Sequence, residues 1–318
     1  MTVSMIIPAF NAGRFLDAAL ASVAAQSRPA DEVVVIDDGS TDETGEIARR
    51  WSDHLPLVLV TKPENEGLGV ARRDGIARSS GELLALLDAD DYLLPDHLEV
   101  MLECHARHGG IVAAAGFRWV PERRVAKTPW NLIAAIPAEQ DQPREILRRN
   151  FLFSNVVMER ASYDAVGGFR DLRCDEDWDL WIRMIRNGCR VAVPGTCTVA
   201  FRNRPDSLSS GERYLAWDIV ILEELLDQVT AEERPIVEQA LRRRRARVRL
   251  LEGYAHARVG RAGAARWAML RAALQDRSVR GGLDPAGSVT LRALMCAVAP
   301  AQMVERRDNR ASREVRLG

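Results

Sequence analysis

Cysteine, long apolar runs and, towards the end of the chain, lysine are scarce. Five cysteines in 318 residues (Cys104, Cys174, Cys189, Cys197, Cys296) form neither a CxxC pair nor a zinc spacing. That argues against a disulfide framework and a zinc site, and points to reduced thiols in a cytosolic protein. The longest late uncharged run, 293–304, falls short of the ~20 apolar residues that cross a bilayer. MTVSMIIPAF begins without a basic stretch, so no secretory signal is expected. At most the protein would sit peripherally at the inner face of a membrane.

What is present is ordinary in bulk and uneven in charge. Hydrophobic residues make up 47% and charged residues 28%, as in a soluble globular protein with a sizeable core. The net charge of −1 hides an asymmetry. Residues 241–318 hold 18 arginines, no lysine and 6 acids, a net of +12, against −13 for residues 1–240. An acidic body with a basic tail implies different partners for the two parts. Aromatics do not interleave the arginines and no nucleic-acid module is seen, so nucleic acid is not an expected partner.

Two periods alternate over the first 120 residues. VSMIIP, EVVVID, LPLVLVT, ELLALLD and IVAAAGF read as strands, the β-branched runs marking buried parallel ones. Between them lie helical spacings: Phe15/Leu16/Ala19/Leu20/Val23, a helix opened by a Ser40–Glu43 capping box, one after NEGLG, and 95–108. This order predicts an α/β fold, a mostly parallel sheet with helices on both faces, whose ligands bind at the strands' carboxyl ends. Residues 121–150, with four prolines, read as a loop-rich insertion facing an acceptor. Short strands and a helix over 176–186 follow. From about 212 the pattern is helical, with a Thr230–Glu233 capping box and breaks at Gly260, Gly281-Gly282 and Pro300. The expected domains are 1–211 and a helical region, 212–318.

Three carboxylate clusters each sit next to a strand-like run. In LLALLDADDY, Asp88 and Asp90 offer hard oxygens at one turn, suited to Mg²⁺ or Mn²⁺ shared with substrate phosphates. An acidic turn facing solvent reads the same. An EF-hand is excluded because Leu93 stands where that loop needs glycine. In VVVIDDGSTD, Asp37-Asp38 suits a nucleobase N–H, or simply the start of a helix. In DEDWDLWIRM, Glu176, Asp177 and Asp179 open a helix; among aromatics such a carboxylate can act as a general base. Lys62, Arg72 and Arg73 flank a glycine-bounded helix start suited to a diphosphate.

The order of these motifs resembles a family 2 glycosyltransferase of the GT-A fold. The matching stretches are IIPAFNAGRFLDAALASVAAQS, VVVIDDGSTDET, NEGLGVARRDGIARSSGELLALLDADDYLLPDHL, VGGFRD and EDWDLWIRM, over about residues 2–190. The resemblance implies that Pro8, Ala9 and Phe10 line the nucleotide pocket and that Asp37 and Asp38 contact base and ribose. Arg72 stands near the diphosphate. Asp88 and Asp90 form the Asp-x-Asp metal site, with Asp90 the more direct ligand. Glu176 joins the donor-binding set, Asp177 is the general base, and Gly167, Gly168 and Phe169 stand near acceptor and donor sugar. It further implies a nucleotide-diphosphate sugar donor, a glycan or lipid-linked acceptor, inversion at the anomeric carbon and a divalent metal. Many relatives have histidine where Arg204 stands, so Arg204 is a fixed positive charge that would reduce metal dependence.

Alternatives are a sugar-phosphate nucleotidyltransferase, whose Gly-rich signature is replaced here by PAFNAG, and a non-catalytic GT-A-like binding protein, which would be expected to lose the Asp-x-Asp or Glu-Asp pair. An oxidoreductase would need GxGxxG after the first strand, which is absent. The arginine run 242–249 reads either as a solvated helix face or as a peripheral contact with anionic lipid. A homo-oligomer is left open.

Overall fold

The computed structural model describes residues 1–120, 125–130, 136–202 and 214–275. The chain divides into two compact units, Met1–Ser207 and Leu208–Gly318. Arg204, Gly281-Gly282 and Pro300 lie outside the described residues.

The first unit opens β1 (Val3–Ala9), α1 (Gly13–Ala24), β2 (Glu32–Asp37), α2 (Thr44–Trp51), β3 (Leu57–Thr61), α3 (Leu68–Ala77), β4 (Leu83–Leu86), β5 (Tyr92–Leu93) and α4 (His97–His108). It continues through β6 (Ile111–Ala113), β7 (Ala115–Val120), β8 (Val125–Trp130), a 3₁₀ turn at Glu139–Asp141 and α5 (Gln142–Glu145). Then come β9 (Val156–Glu159), α6 (Arg160–Ala165), α7 (Glu176–Arg186), β10 (Val191–Ala192) and β11 (Cys197–Arg202). The main sheet has the order β10-β6-β9-β4-β1-β2-β3 and is parallel except for β9. A smaller sheet runs β5-β11-β7-β8.

The pleat sorts each strand's side chains onto two faces. Val3, Met5, Ile7, Val33 and Val35 pack with Leu16 and Leu20 of α1, Ala48 of α2 and Met101 of α4. On the other face Ile6 and Ile36 meet α3. A Cβ at Gly75 would stand 2.3 Å from Ile36 Cδ1, so a glycine there lets the helix lie against the sheet. Helices thus cover both faces, as the strand–helix alternation predicts.

Three expectations fail locally. IVAAAGF is two strands in two sheets, because the Ala114 N–H donates to the Asn155 carbonyl and the chain then crosses over. Within the expected loop 121–150, β8 pairs antiparallel with β7. The Ser40–Glu43 box also does not form: α2 starts at Thr44 without a side-chain cap. Ser40 Oγ instead accepts the Asn11 N–H, while Thr44 Oγ1 and Asp42 Oδ2 accept the N–H groups of Ala12 and Gly13. The loop's oxygens cap the neighbouring helix α1, satisfying donors that its own first turn leaves open.

The second unit contains α8 (Tyr214–Leu225), α9 (Arg234–Arg258) and α10 (Ala262–Gln275). Here the Thr230–Glu233 box is made reciprocally, Glu233 Oε2 accepting the Thr230 N–H at 2.9 Å and Thr230 Oγ1 the Glu233 N–H at 3.3 Å. Gly260, with φ +75°, makes the turn between α9 and α10. Among the described residues no helix is long and apolar enough to cross a membrane.

Candidate active site

Strands β4, β1 and β2 are adjacent and parallel, so their carboxyl ends share one edge. Pro8, Ala9 and Phe10 end β1, Asp37 and Asp38 end β2, and Asp88 follows β4. Pro8 and Ala9 are buried, whereas Phe10 is 49% exposed. An aromatic ring open to water at this edge is a ready stacking surface for a planar ligand.

Asp37 and Asp38 are both buried and hydrogen-bonded to backbone. Asp37 Oδ1 accepts the Ser40 N–H. Asp38 Oδ1 accepts the Glu66 N–H at 3.1 Å and its Oδ2 the Gly67 N–H at 2.9 Å, with Lys62 Nζ 3.5 Å away. The pair thus moulds two turns. Each bonded oxygen keeps a lone pair beyond its backbone bond. Gly39 follows at φ +72°, where a Cβ would strike the Glu64 backbone at 2.5 Å, so the turn requires glycine. Lys62 is held by Asp38, Glu66 and Asp74. Arg73, by contrast, points outward with its side chain 45% exposed.

Arg72 organises the centre. Its guanidinium is buried and donates to Asp88 Oδ1 at 2.7 Å and to Glu176 Oε1 at 2.6 Å. It also lies 5.7 Å from the Phe169 ring centroid. Three segments separated by up to 104 residues therefore meet on one side chain. Burial alone would lower this arginine's pKa, but the charges of Asp88 and Glu176 raise it. Burial pushes the Glu176 carboxyl up to about 7; Arg72 opposes this, and the charges of Asp177 and Asp88 add to it.

Helix α7 starts after Asp175, whose φ of 57° turns the chain so that Glu176 and Asp177 face the site. Trp178, Trp181 and Ile182 of that helix are buried. Asp177 is half-buried, with Oδ1 accepting from the Trp178 N–H at 2.6 Å and the Asn150 amide at 3.5 Å. Its pKa is raised: burial outweighs the opposing pull of Arg72. Asp179 plays a different part, since it is buried and ion-paired to Arg170 and Arg183. Gly168, at φ +69°, brings the VGGF turn against Tyr163, whose hydroxyl accepts the Phe169 N–H.

The Asp88–Asp91 turn divides its carboxylates between inside and outside. Asp88 and Asp90 are half-buried at the edge. Asp91 is buried, accepts from the Arg202 N–H at 3.0 Å and the Asn155 amide at 2.8 Å, and is raised well above the usual carboxylate range by burial and by the charges of Asp88 and Asp90. Among the described residues no group of three or more His, Cys, Asp or Glu could hold a metal ion alone.

Sequence reading missed the braces of this site. Asn155 is buried, accepts the Asp88 N–H at 3.3 Å and donates to Asp91. The Ser154 hydroxyl donates to Asp88 Oδ2. Both sit just before β9, the antiparallel strand, whose start therefore lies where β4 ends. A polar Ser-Asn pair ahead of an apolar run was the sole signal. Asn11, at φ 48°, links the loops after β1 and β2 by accepting the Thr41 N–H.

Known proteins resemble this chain in sequence and in fold. The succinoglycan biosynthesis protein ExoU of Rhizobium meliloti (strain 1021) is 35% identical over 222 residues, 66% of this chain and 65% of that protein. The chain thus spans just under two thirds of that relative's length. The putative teichuronic acid biosynthesis glycosyltransferase TuaG of Bacillus subtilis (strain 168) is 26% identical over 66% of this chain and 82% of that protein. In fold, the crystal structure of S. aureus TarS 1–349 in complex with UDP-GlcNAc matches with a TM-score of 0.64 at 19% identity, over 98% of this chain and 92% of that one. The family described as Glycosyl transferase family 2 matches residues 4–181, more than half of the sequence, and the chain belongs to that family.

Proposed function

We propose that this protein transfers a sugar from a nucleotide-diphosphate donor to an acceptor hydroxyl, in the synthesis of a glycan, polysaccharide or glycolipid. The observation that carries the reading is the convergence of Asp88, Glu176 and, beside it, Asp177 around buried Arg72. Relatives named for succinoglycan and teichuronic acid synthesis, and a similar fold bound to UDP-GlcNAc, support it.

On this reading the nucleotide lies along the carboxyl ends of β1 and β2, with its base near Phe10 and its base and ribose met by Asp37 and Asp38. The diphosphate lies towards Asp88 and Arg72. Asp177 takes the acceptor hydroxyl's proton as that oxygen bonds to the anomeric carbon. The bond to the diphosphate oxygen breaks on the opposite face, so the carbon inverts. A raised Asp177 pKa suits a base that must accept a proton near neutral pH. Phe169 and the Gly167-Gly168 turn stand near the sugar.

Asp88 and Asp90 fit a divalent metal, Mg²⁺ or Mn²⁺. They offer two half-buried hard oxygen donors in one turn at the strands' carboxyl edge, and such ions share one or two carboxylates with substrate phosphates rather than needing a full protein cage. A fold neighbour, the mannosyltransferase PcManGT of Pyrobaculum calidifontis, is in complex with GDP-Man and Mn²⁺ (TM-score 0.55, 20% identity). When bound, the ion would neutralise charge on the leaving diphosphate. Arg204 would add a fixed positive charge and lessen the need for metal; activity abolished by EDTA while Arg204→Ala stays active would count against this. A lipid-linked acceptor and a peripheral membrane contact through the C-terminal region complete the reading.

A thermal-shift panel of nucleotide sugars with Mn²⁺ tests the donor class, since a ligand that binds only the folded state raises the melting point. Stabilisation by one nucleotide's sugars supports the reading, and no stabilisation by any of them overturns it.

A further inference from the structure

Helix α10 carries a surface that the transfer chemistry does not use. Its rotation is fixed by close packing on α9: a Cβ at Gly253 would stand 2.7 Å from Met269 Cγ. Ala265, Met269 and Ala272 are buried accordingly. At 3.6 residues per turn, the opposite side presents Trp267, Leu270 and Leu274 as one stripe about 60° wide. These three side chains are 61%, 38% and 59% exposed. Arg266 and Arg271, also exposed, fall about 40° outside the stripe, one on each side. Val259, in the turn before α10, is 68% exposed. No acid occurs from Gly253 to Gln275, a stretch that holds Arg258, Arg261, Arg266 and Arg271.

We infer that this face of α10 binds the surface of an anionic lipid bilayer. Tryptophan and leucine enter the boundary between headgroups and acyl chains, while flanking arginines reach the lipid phosphates. The charge pattern selects this occupant. A second copy docked on the same face would set basic flanks against basic flanks. Residues 276–318 hold 8 arginines and 5 acids, so that segment does not complement the face either.

The inference sharpens the membrane contact proposed above by moving it from the arginine run to α10. In that run Arg244 pairs with Asp218, Arg245 with Glu223 and Arg242 with Glu238, so those charges are already engaged. It does not depend on the identity of the donor or of the base.

Sedimentation of the full chain with vesicles tests it. Wild type should pellet with an equal mixture of phosphatidylcholine and phosphatidylglycerol and stay in solution with phosphatidylcholine alone. Trp267→Ser with Leu270→Ser should lower the bound fraction at least ~10-fold. Arg266→Glu with Arg271→Glu should cost about fivefold or more per arginine. Quenching of tryptophan emission by brominated lipid, lost in Trp267→Phe, locates the contact without disturbing the fold. Wild type that ignores the mixed vesicles, or variants that pellet like wild type, would overturn the inference. So would a dimer in light scattering that these variants dissolve without any vesicle binding. Nucleotide-sugar cleavage measured without vesicles should be unchanged in both double variants, so failure here leaves the transferase reading standing.

Discussion

Arg72 and Arg244 each pair with an aspartate across a buried boundary, with opposite polarity. In the first unit the arginine is buried, 1% exposed, and its partner Asp88 is 29% exposed. In the second, Asp218 is buried at 6% and Arg244 is 21% exposed. The inner member is held by the outer one, and the outer member faces whatever arrives. The proposed site for a phosphate-bound metal needs carboxylates outermost, which the Asp88 pair offers. A helical unit that offers arginines outward has no such site among these pairs. The same kind of ion pair thus leaves a carboxylate outermost in one unit and joins two helices in the other.

Removing the inner charge should have the largest effect. Arg72→Ala leaves Asp88 and Glu176 without their shared cation, and breaking a buried pair costs about 3–5 kcal/mol. A urea titration reads the loss as a lower midpoint, and nucleoside diphosphate release should fall with it. An unchanged midpoint would mean that the carboxylates need no such partner.

The Glu176 carboxyl gives a pH signature. Unfolded, it loses its proton near 4.5; folded, it keeps it up to about 7. The folded state therefore binds more protons in that window, and this group's stabilising contribution, complete below pH 4.5, declines as pH rises towards 7. Glu176→Gln should flatten the fall in urea midpoint across the window. A variant as steep as wild type would shift the cause to Asp177 and Asp91, whose pKa values are raised in the same direction.

Smaller effects sharpen the contrast between the units. Asn155→Ala removes the amide that joins Asp88 to Asp91 and should cost about 1–3 kcal/mol, together with donor turnover. Arg244→Ala should cost about 1–2 kcal/mol by removing the arginine hydrogen-bonded to buried Asp218, with turnover untouched. Arg242→Ala, an exposed pair, should stay within about 0.5 kcal/mol in the same titration.

The sequence shows most clearly those parts of this arrangement that depend on local pattern. The β-branched run Glu32–Asp37 and the aromatic-rich helix Glu176–Arg186 have the bounds that their periodicity predicts. The Thr230–Glu233 box forms from bonds within its own four residues. The Ser40–Glu43 box fails because α1 takes the loop's oxygens, a choice made by tertiary contact. The crossing at Ala114 between two sheets leaves no trace in hydrophobic period, since IVAAAGF is apolar on both sides of it. At the site Asp37, Asp38 and Asp88 stand out because they follow strands, whereas Glu176 and Asp177 stand out as acids opening a helix that comes after α6. Their braces do not, because Asn155 and Ser154 act across 64 to 67 residues of sequence.

As the proposed base, Asp177 stands within a donor site that it does not itself build. The direct measurement is nucleoside diphosphate release, with acceptor present, by wild type and Asp177→Asn, alongside donor binding by thermal shift. In Asp177→Asn, turnover should fall by about 10²–10⁴ with donor-induced stabilisation retained. Turnover equal to wild type, with binding intact, would contradict it.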